Sequence, residues 1–219
     1  MLNKLVKTKE LYASQPEYLK DLFESSEYPW EMLPKIKEYI LALIEKGLPD
    51  FTELKPGVWV GKDVKIADFV TIEAPAIIGH GTEIRPGAYI RGSVITGSGC
   101  VLGNSSEFKN CILLDKVQVP HYNYVGDSIL GYCAHMGAGS ICSNLKSDKQ
   151  SVVIHSSENI DTKLRKVGAF LASYDTPFFT KIANYAAVRF YEKQIKSGSR
   201  KKKLQLISEM NPEWVDLSE

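Results

Sequence analysis

The sequence predicts a mainly β protein: a left-handed parallel β-helix, or hexapeptide solenoid, with N-terminal and C-terminal α-helical extensions. Three observations predict it. Residues recur at every sixth position from Val60 through Ile66, Ile72, Ile78, Ile84, Ile90, Thr96, Leu102, Phe108 and Leu114, nearly all of them aliphatic or aromatic. The positions four further on are mostly small or β-branched: Val64, Val70, Ala76, Thr82, Ala88, Val94, Cys100, Ser106 and Ile112. Glycine often follows the aliphatic position, at Gly61, Gly79, Gly97 and Gly103. A period of six fits neither the 3.6-residue repeat of a helix nor the two-residue repeat of a simple hairpin. It fits a solenoid in which three short strands make one triangular coil of about eighteen residues. The register predicts four to five coils without slippage to about Ser143.

The elements follow in order. Residues 1–51 form a helical segment. Its main helix spans Pro29 to Lys46, with Leu33, Ile36, Ile40, Leu43 and Ile44 at helical spacing, Ser26 as cap, and Gly47 and Pro49 as stop. A shorter helix is expected over Lys9 to Phe23, and the pair is expected to cover an open end of the main domain. The β-helix domain spans 56–176. It is interrupted at about 145–166 by a polar stretch without hexads, expected as an external loop, before Val167 to Ala172 returns to the coil. The tail, 177–219, begins with an amphipathic helix on Phe179, Ile182, Ala183, Ala186 and Phe190. The basic run Arg200 to Lys203 follows, expected to be solvated.

Composition narrows the function classes. A net charge of +1 over 219 residues gives no global electrostatic case for nucleic acid or an anionic membrane. No apolar run reaches the roughly 18 residues of a membrane span, and the polar start MLNKLVKTKE is no signal peptide, so a cytoplasmic location is expected. Cys100, Cys111, Cys133 and Cys142 show no CxxC spacing and are expected as free thiols. A zinc site needs three converging ligands, and His80, His121, His135 and His155 share no column and contain no close pair, so no metal is expected. No glycine-rich phosphate loop leads from a strand into a helix.

An eighteen-residue coil stacks residues eighteen apart, about 4.8 Å from one another. Arg85, Gly103, His121 and Gly139 then share a column, Lys109 lies below Asp127 as an ion pair, and Ser106, Tyr124 and Cys142 form a third column. Glu107 falls under Val125. His121 is the sharpest candidate. The two glycines leave space around its imidazole, and histidine is the usual general base near neutral pH.

Several strings at fixed mutual spacing carry a resemblance: EFKN from Glu107, VPHYNYVGD from Val119, and MGAGSICSN from Met136. Arg85-Pro86-Gly87 and the RKVGAF run from Arg165 fit the same pattern. Over about 58–171 the chain resembles the acetyltransferase half of the bifunctional N-acetylglucosamine-1-phosphate uridylyltransferase/glucosamine-1-phosphate acetyltransferases. The resemblance implies acetyl transfer from acetyl-CoA to the 2-amino group of an aminosugar 1-phosphate, in a homotrimer with each site between subunits. It implies that His121 is the base and that Glu107 supports the histidine or the amine. Arg85 and Lys109 would bind the sugar phosphate, and Tyr124 and Asn144 would hold the sugar and acetyl group. Gly137, Ala138 and Gly139, with Lys149, would bind acetyl-CoA. The sequence departs from that pattern at His135 and Met136 before the GAG run, at Gln150 and Val153 in the loop, and after Leu171, where helical sequence replaces further coils. A non-catalytic sugar-nucleotide-binding or assembly β-helix is therefore an alternative, as is a related acyltransferase with another acceptor.

Overall fold

The computed structural model describes residues 7–155 and 159–176. The expected C-terminal helix and basic run lie outside the described residues. The chain winds as a left-handed parallel β-helix whose short strands stack into three walls. The first wall stacks Lys65–Ile66, Glu83–Ile84, Val101–Asn104 and Gln118–His121. The second stacks Thr71–Glu73, Tyr89–Arg91, the start of Glu107–Leu113, the start of Tyr124–Leu130, and Ile141–Cys142. The third stacks Val58–Gly61, Ala76–Ile78, Val94–Thr96, the ends of the same two long strands, and Phe170–Leu171. The hexad residues Ile72, Ile78, Ile84, Ile90, Leu102 and Phe108 point inward into one apolar core. Phe51–Lys55 adds an antiparallel strand to Val58–Gly61 that the sequence reading did not include, and it covers the backbone edge of the first coil.

The register is not constant, which corrects the expectation of an unbroken eighteen-residue coil. Ile90 pairs with Phe108, eighteen residues on, but Val94 pairs with Cys111, only seventeen on. Between these pairs the corner Arg91-Gly92-Ser93 becomes the shorter corner Lys109-Asn110. Later coils keep the short corner, so Asn104 pairs with His121, Glu107 with Tyr124, and Tyr124 with Ile141, all at seventeen. The short corners require a left-handed residue, supplied by Asn110 (φ 48°) and Asp127 (φ 47°), the residue types that tolerate that conformation best after glycine.

The N-terminal helical segment also differs from expectation. Pro34 holds the start of the main helix in 3-10 turns at Pro29–Glu31 and Leu33–Lys35, and the α-helix runs only over Ile36–Lys46. The Lys9 to Phe23 stretch is broken into α-helices Thr8–Leu11 and Lys20–Glu24, with a 3-10 turn at Glu17–Leu19 between them. Ser26 is not the cap; the Glu31 carboxylate accepts from the N–H groups of Glu27 and Tyr28. The segment straps a wall and does not cover an open end. On the third wall the central residues Ile77, Ile95, Ile112 and Ile129 stack outward, away from the core, yet all are fully buried. The Ile36–Lys46 helix packs against Val94–Thr96 and Glu107–Leu113 and buries Ile36 and Ile40. The Tyr12 hydroxyl donates to the Ile129 carbonyl (3.2 Å), and the Tyr18 hydroxyl to the Thr96 carbonyl (2.7 Å).

The 145–166 stretch leaves and re-enters at one corner. Leu145 and Lys166 form an antiparallel bridge, Val153–His155 pairs with Asn159–Asp161 as a hairpin, and the Val167 N–H donates to the Asn144 carbonyl (2.9 Å). Cys100, Cys111 and Cys133 are free thiols. Among the described residues no helix is long and apolar enough to cross a membrane.

Candidate functional site

With the register shortened, the predicted columns re-form one residue over. Gly103 lies under Pro120, where a Cβ would come within 1.9 Å of backbone, and His121 stands on Asn104. Arg85 sits beneath Gly103 on the first wall, with its Nε donating to Glu83 (2.8 Å), and so it does not share a column with His121. Lys109 pairs with Gly126, not Asp127, and the expected Lys109–Asp127 ion pair is not formed. Tyr124 stands on Glu107, not on Ser106, and Val125 stands on Phe108. Cys142 stands on Val125, so the Ser106–Tyr124–Cys142 column is not formed either.

His121 ends the first wall, and its side chain is exposed. Among the described residues no side chain hydrogen-bonds its imidazole, which is open to a ligand. The chain then turns through Tyr122 and Asn123 into the second wall. The Asn123 amide fixes this turn: its Oδ1 accepts from the His121 N–H (3.0 Å), and its Nδ2 donates to the carbonyls of Gly137 (2.8 Å) and Ser140 (3.2 Å). Gly137, Ala138 and Gly139 form the matching turn one coil on. The Gly139 N–H donates to the His121 carbonyl (3.1 Å), and Gly139 itself adopts φ 74°. The imidazole and the GAG turn therefore share one corner.

The outer face of the second wall carries the remaining polar groups. Phe108 points inward, so Glu107 and Lys109 point outward together. Arg91 lies in the column of Glu73 and donates to Glu107 (2.6 Å), and the Tyr89 hydroxyl donates to Glu73 (2.6 Å). Arg91 was absent from the sequence candidates, although it lies eighteen residues before Lys109, a spacing that could have found it. The Tyr124 ring lies across Gly126, where a Cβ would meet the phenol oxygen at 2.4 Å. Its hydroxyl accepts from Asn144 (3.2 Å). Burial raises the Tyr124 phenol above its ordinary value, with the Asn144 hydrogen bond opposing the shift. Asn144 also donates to Asp127, whose other oxygen accepts from Asn110 (2.8 Å). Asn110, Asp127 and Asn144, seventeen apart, thus form a partly buried polar ladder along the next corner.

The structure therefore brings Glu107, Lys109, Tyr124 and Asn144 onto one wall and its edge, with His121 and the GAG turn at the other edge. It separates Arg85 from them. Lys149 lies in the 145–166 excursion beside Asn110 and Asp127, away from the GAG turn.

Comparison with known proteins adds kinship to this geometry. A family profile described as the GMPPB C-terminal domain matches residues 72–163. The bifunctional protein GlmU of Methanococcus aeolicus is 34% identical over 125 residues, covering 49% of this chain and 30% of that protein. This chain is similar in sequence to the bifunctional GlmU proteins over about half its length. GlmU of Methanococcus maripaludis is 29% identical over 188 residues, covering 78% of this chain and 41% of its own length. A Sulfurisphaera tokodaii relative, named bifunctional sugar-1-phosphate nucleotidylyltransferase/acetyltransferase, is 32% identical over 128 residues, covering 52% of this chain and 32% of its own. The chain thus spans well under half the length of these GlmU-type relatives.

Proposed function

We propose that this chain acts in sugar nucleotide biosynthesis as a transferase, moving an acetyl group from acetyl-CoA to the 2-amino group of an aminosugar 1-phosphate. One observation carries the reading: an exposed, unpartnered His121 shares a corner with the GAG turn and adjoins the wall of Glu107, Lys109 and Tyr124. The amine nitrogen attacks the thioester carbonyl while His121 takes its proton, and the C–S bond breaks to release CoA. The Gly139 N–H is already committed to the His121 carbonyl, so Gly137 and Ala138 supply the N–H groups for the developing oxyanion. Lys109 and Arg91, in successive coils of one column, are the cations for the sugar phosphate. Glu107, beneath Tyr124, orients the amine, and Asn144 holds the Tyr124 hydroxyl toward the sugar.

Within one chain Glu107 and His121 lie on different walls, which favours a homotrimer in which a neighbouring copy closes the site. The test is CoA release with acetyl-CoA and glucosamine-1-phosphate. His121→Ala is expected to lower kcat by about 10²-fold or more, the usual worth of a general base. Full turnover in that variant, or none in the wild type with any aminosugar 1-phosphate, refutes the reading. In the second case, retained binding of a sugar nucleotide favours a non-catalytic module.

A further inference from the structure

Between the 145–166 excursion and the strap lies a cleft of 660 Å³ lined by none of the residues given a part in the proposed acetyl transfer. Four cations line it: Lys149, Lys163, Arg165 and Lys166. Asp127 is the one carboxylate there, so the cleft carries a net charge of +3, while the whole chain carries +1. Both Asp127 oxygens accept from the Asn110 and Asn144 amides, so that carboxylate pairs with none of the four cations, and its charge is already counted in the +3. Among the described residues none of the four cations forms an ion pair, although Lys146 in the same excursion pairs with Asp148 (3.1 Å). Asp161 of the same loop offsets part of the Lys163 charge, but the cations still outnumber the carboxylates at the cleft, and a bound anion lowers their mutual repulsion.

The loop is built to hold them. The Arg165 Nε donates to the Lys149 carbonyl (3.0 Å), and the buried Thr162 hydroxyl donates to the Val152 carbonyl (2.7 Å), so the two limbs are tied together. Leu33 and Pro34 of the strap and Leu145 and Leu164 of the loop add apolar lining. A bare phosphate would not use that lining.

We infer that this cleft binds a nucleoside 5′-diphosphate moiety, its diphosphate among the four cations and its base against Leu33, Pro34, Leu145 and Leu164. The volume lies within the range of small-molecule sites. CoA and UDP-sugars both carry this moiety; only the choice between them rests on the acetyl-transfer reading.

Calorimetry on the full chain with ADP, CoA, UDP-glucose and inorganic pyrophosphate tests the inference. ADP is expected to bind more tightly than pyrophosphate, and the double reversal Lys163→Glu, Arg165→Glu is expected to weaken ADP about tenfold or more. Lys55→Glu, an exposed reversal on Phe51–Lys55, is the control and is expected to change it less than about twofold. CoA binding more tightly than ADP and UDP-glucose assigns the cleft to the acyl donor; the reverse order assigns it to a sugar nucleotide. Pyrophosphate binding as tightly as ADP overturns the nucleoside part, and an unchanged double variant, or an equal loss in the control, overturns the site. ADP binding without turnover refutes acetyl transfer alone; turnover without ADP binding refutes this cleft alone.

Discussion

The strap on the third wall makes a quantitative prediction at Ile95. In a bare β-helix its outward side chain would lie in water, and Ile95→Ala would cost little. Here Ile95 has no solvent exposure and sits between Ile77 and Ile112 under the Ile36–Lys46 helix. The change removes three carbons, worth about 0.8 kcal/mol each in transfer, or about 2.4 kcal/mol together. The neighbouring isoleucines are held by the wall and cannot collapse fully, so a residual cavity brings the cost to about 3–4 kcal/mol. With a urea m-value of about 2 kcal/mol/M, the midpoint falls by about 1.5–2 M. The assay is urea unfolding followed by circular dichroism at one fixed protein concentration, because assembly makes stability concentration-dependent. Leu41→Ala, at a residue 46% exposed on the Ile36–Lys46 helix, is the control, with an expected loss below about 0.5 kcal/mol. If Ile95→Ala costs less than about 1 kcal/mol, the strap does not cover this wall in solution.

Three further outcomes are expected. Gly126→Ala places a methyl 2.4 Å from the Tyr124 phenol oxygen, so the ring swings off Asn144; KM for the aminosugar phosphate should rise about tenfold with kcat less affected, and an unchanged KM would refute a sugar contact at Tyr124. Burial pushes the Cys100 thiol up to about 12, so above pH 9 the unfolded chain loses this proton while the folded chain keeps it. Stability therefore falls as pH rises between 9 and about 12, and Cys100→Ala should flatten the slope by up to about 1.4 kcal/mol per pH unit; equal slopes in urea titrations would refute it. Tyr122→Asn relieves a left-handed φ of 50° and removes an exposed ring, so light scattering should show a weaker assembly while the dissociated chain unfolds no more easily; an intact assembly at micromolar concentration would count against contact at this corner.

The hexads were legible because inward residues must be apolar: Ile72, Ile78, Ile84, Ile90, Leu102 and Phe108 all lie in the core, while Ile66 in the same series is 40% exposed. After the Lys109-Asn110 corner the same count misassigned faces. Ile112 was counted with the inward set, but it faces the strap, and the inward residues beside it are Cys111 and Leu113. Two series at seventeen carried the correction: Ile95, Ile112 and Ile129, and Asn110, Asp127 and Asn144. The same one-residue shift moves His121 off the column of Arg85 and Gly103 and onto Asn104. The strap was not legible as such. Helical spacing at Ile36 and Ile40 says that one face is buried but not against what, and the complementary sign was the fully apolar Ala76–Ile78 strand on one wall only.

Closure of the third wall bears on how the proposed trimer can form. The Ile36–Lys46 helix, with Ile36 and Ile40 buried, covers the third wall at Val94–Thr96 and Glu107–Leu113, so another copy would meet the first two walls or the corner between them. That corner already carries unexplained costs. Phe69 and Tyr122 both adopt positive φ, at 61° and 50°, and both rings remain in water, at 89% and 66% exposure. A bulky aromatic at positive φ is a sparsely populated conformation costing about 1 kcal/mol or more, and within one chain the ring recovers no packing in return. Contact with a second copy would recover it, and Ile141, exposed on the adjoining wall, would join the same surface. His121 stands beside Tyr122 on this corner, so the contact that offsets the strain is the one that would bring a neighbour's groups to the imidazole. The proposed assembly and the proposed catalysis would then share a single surface, and weakening the first should cost the second.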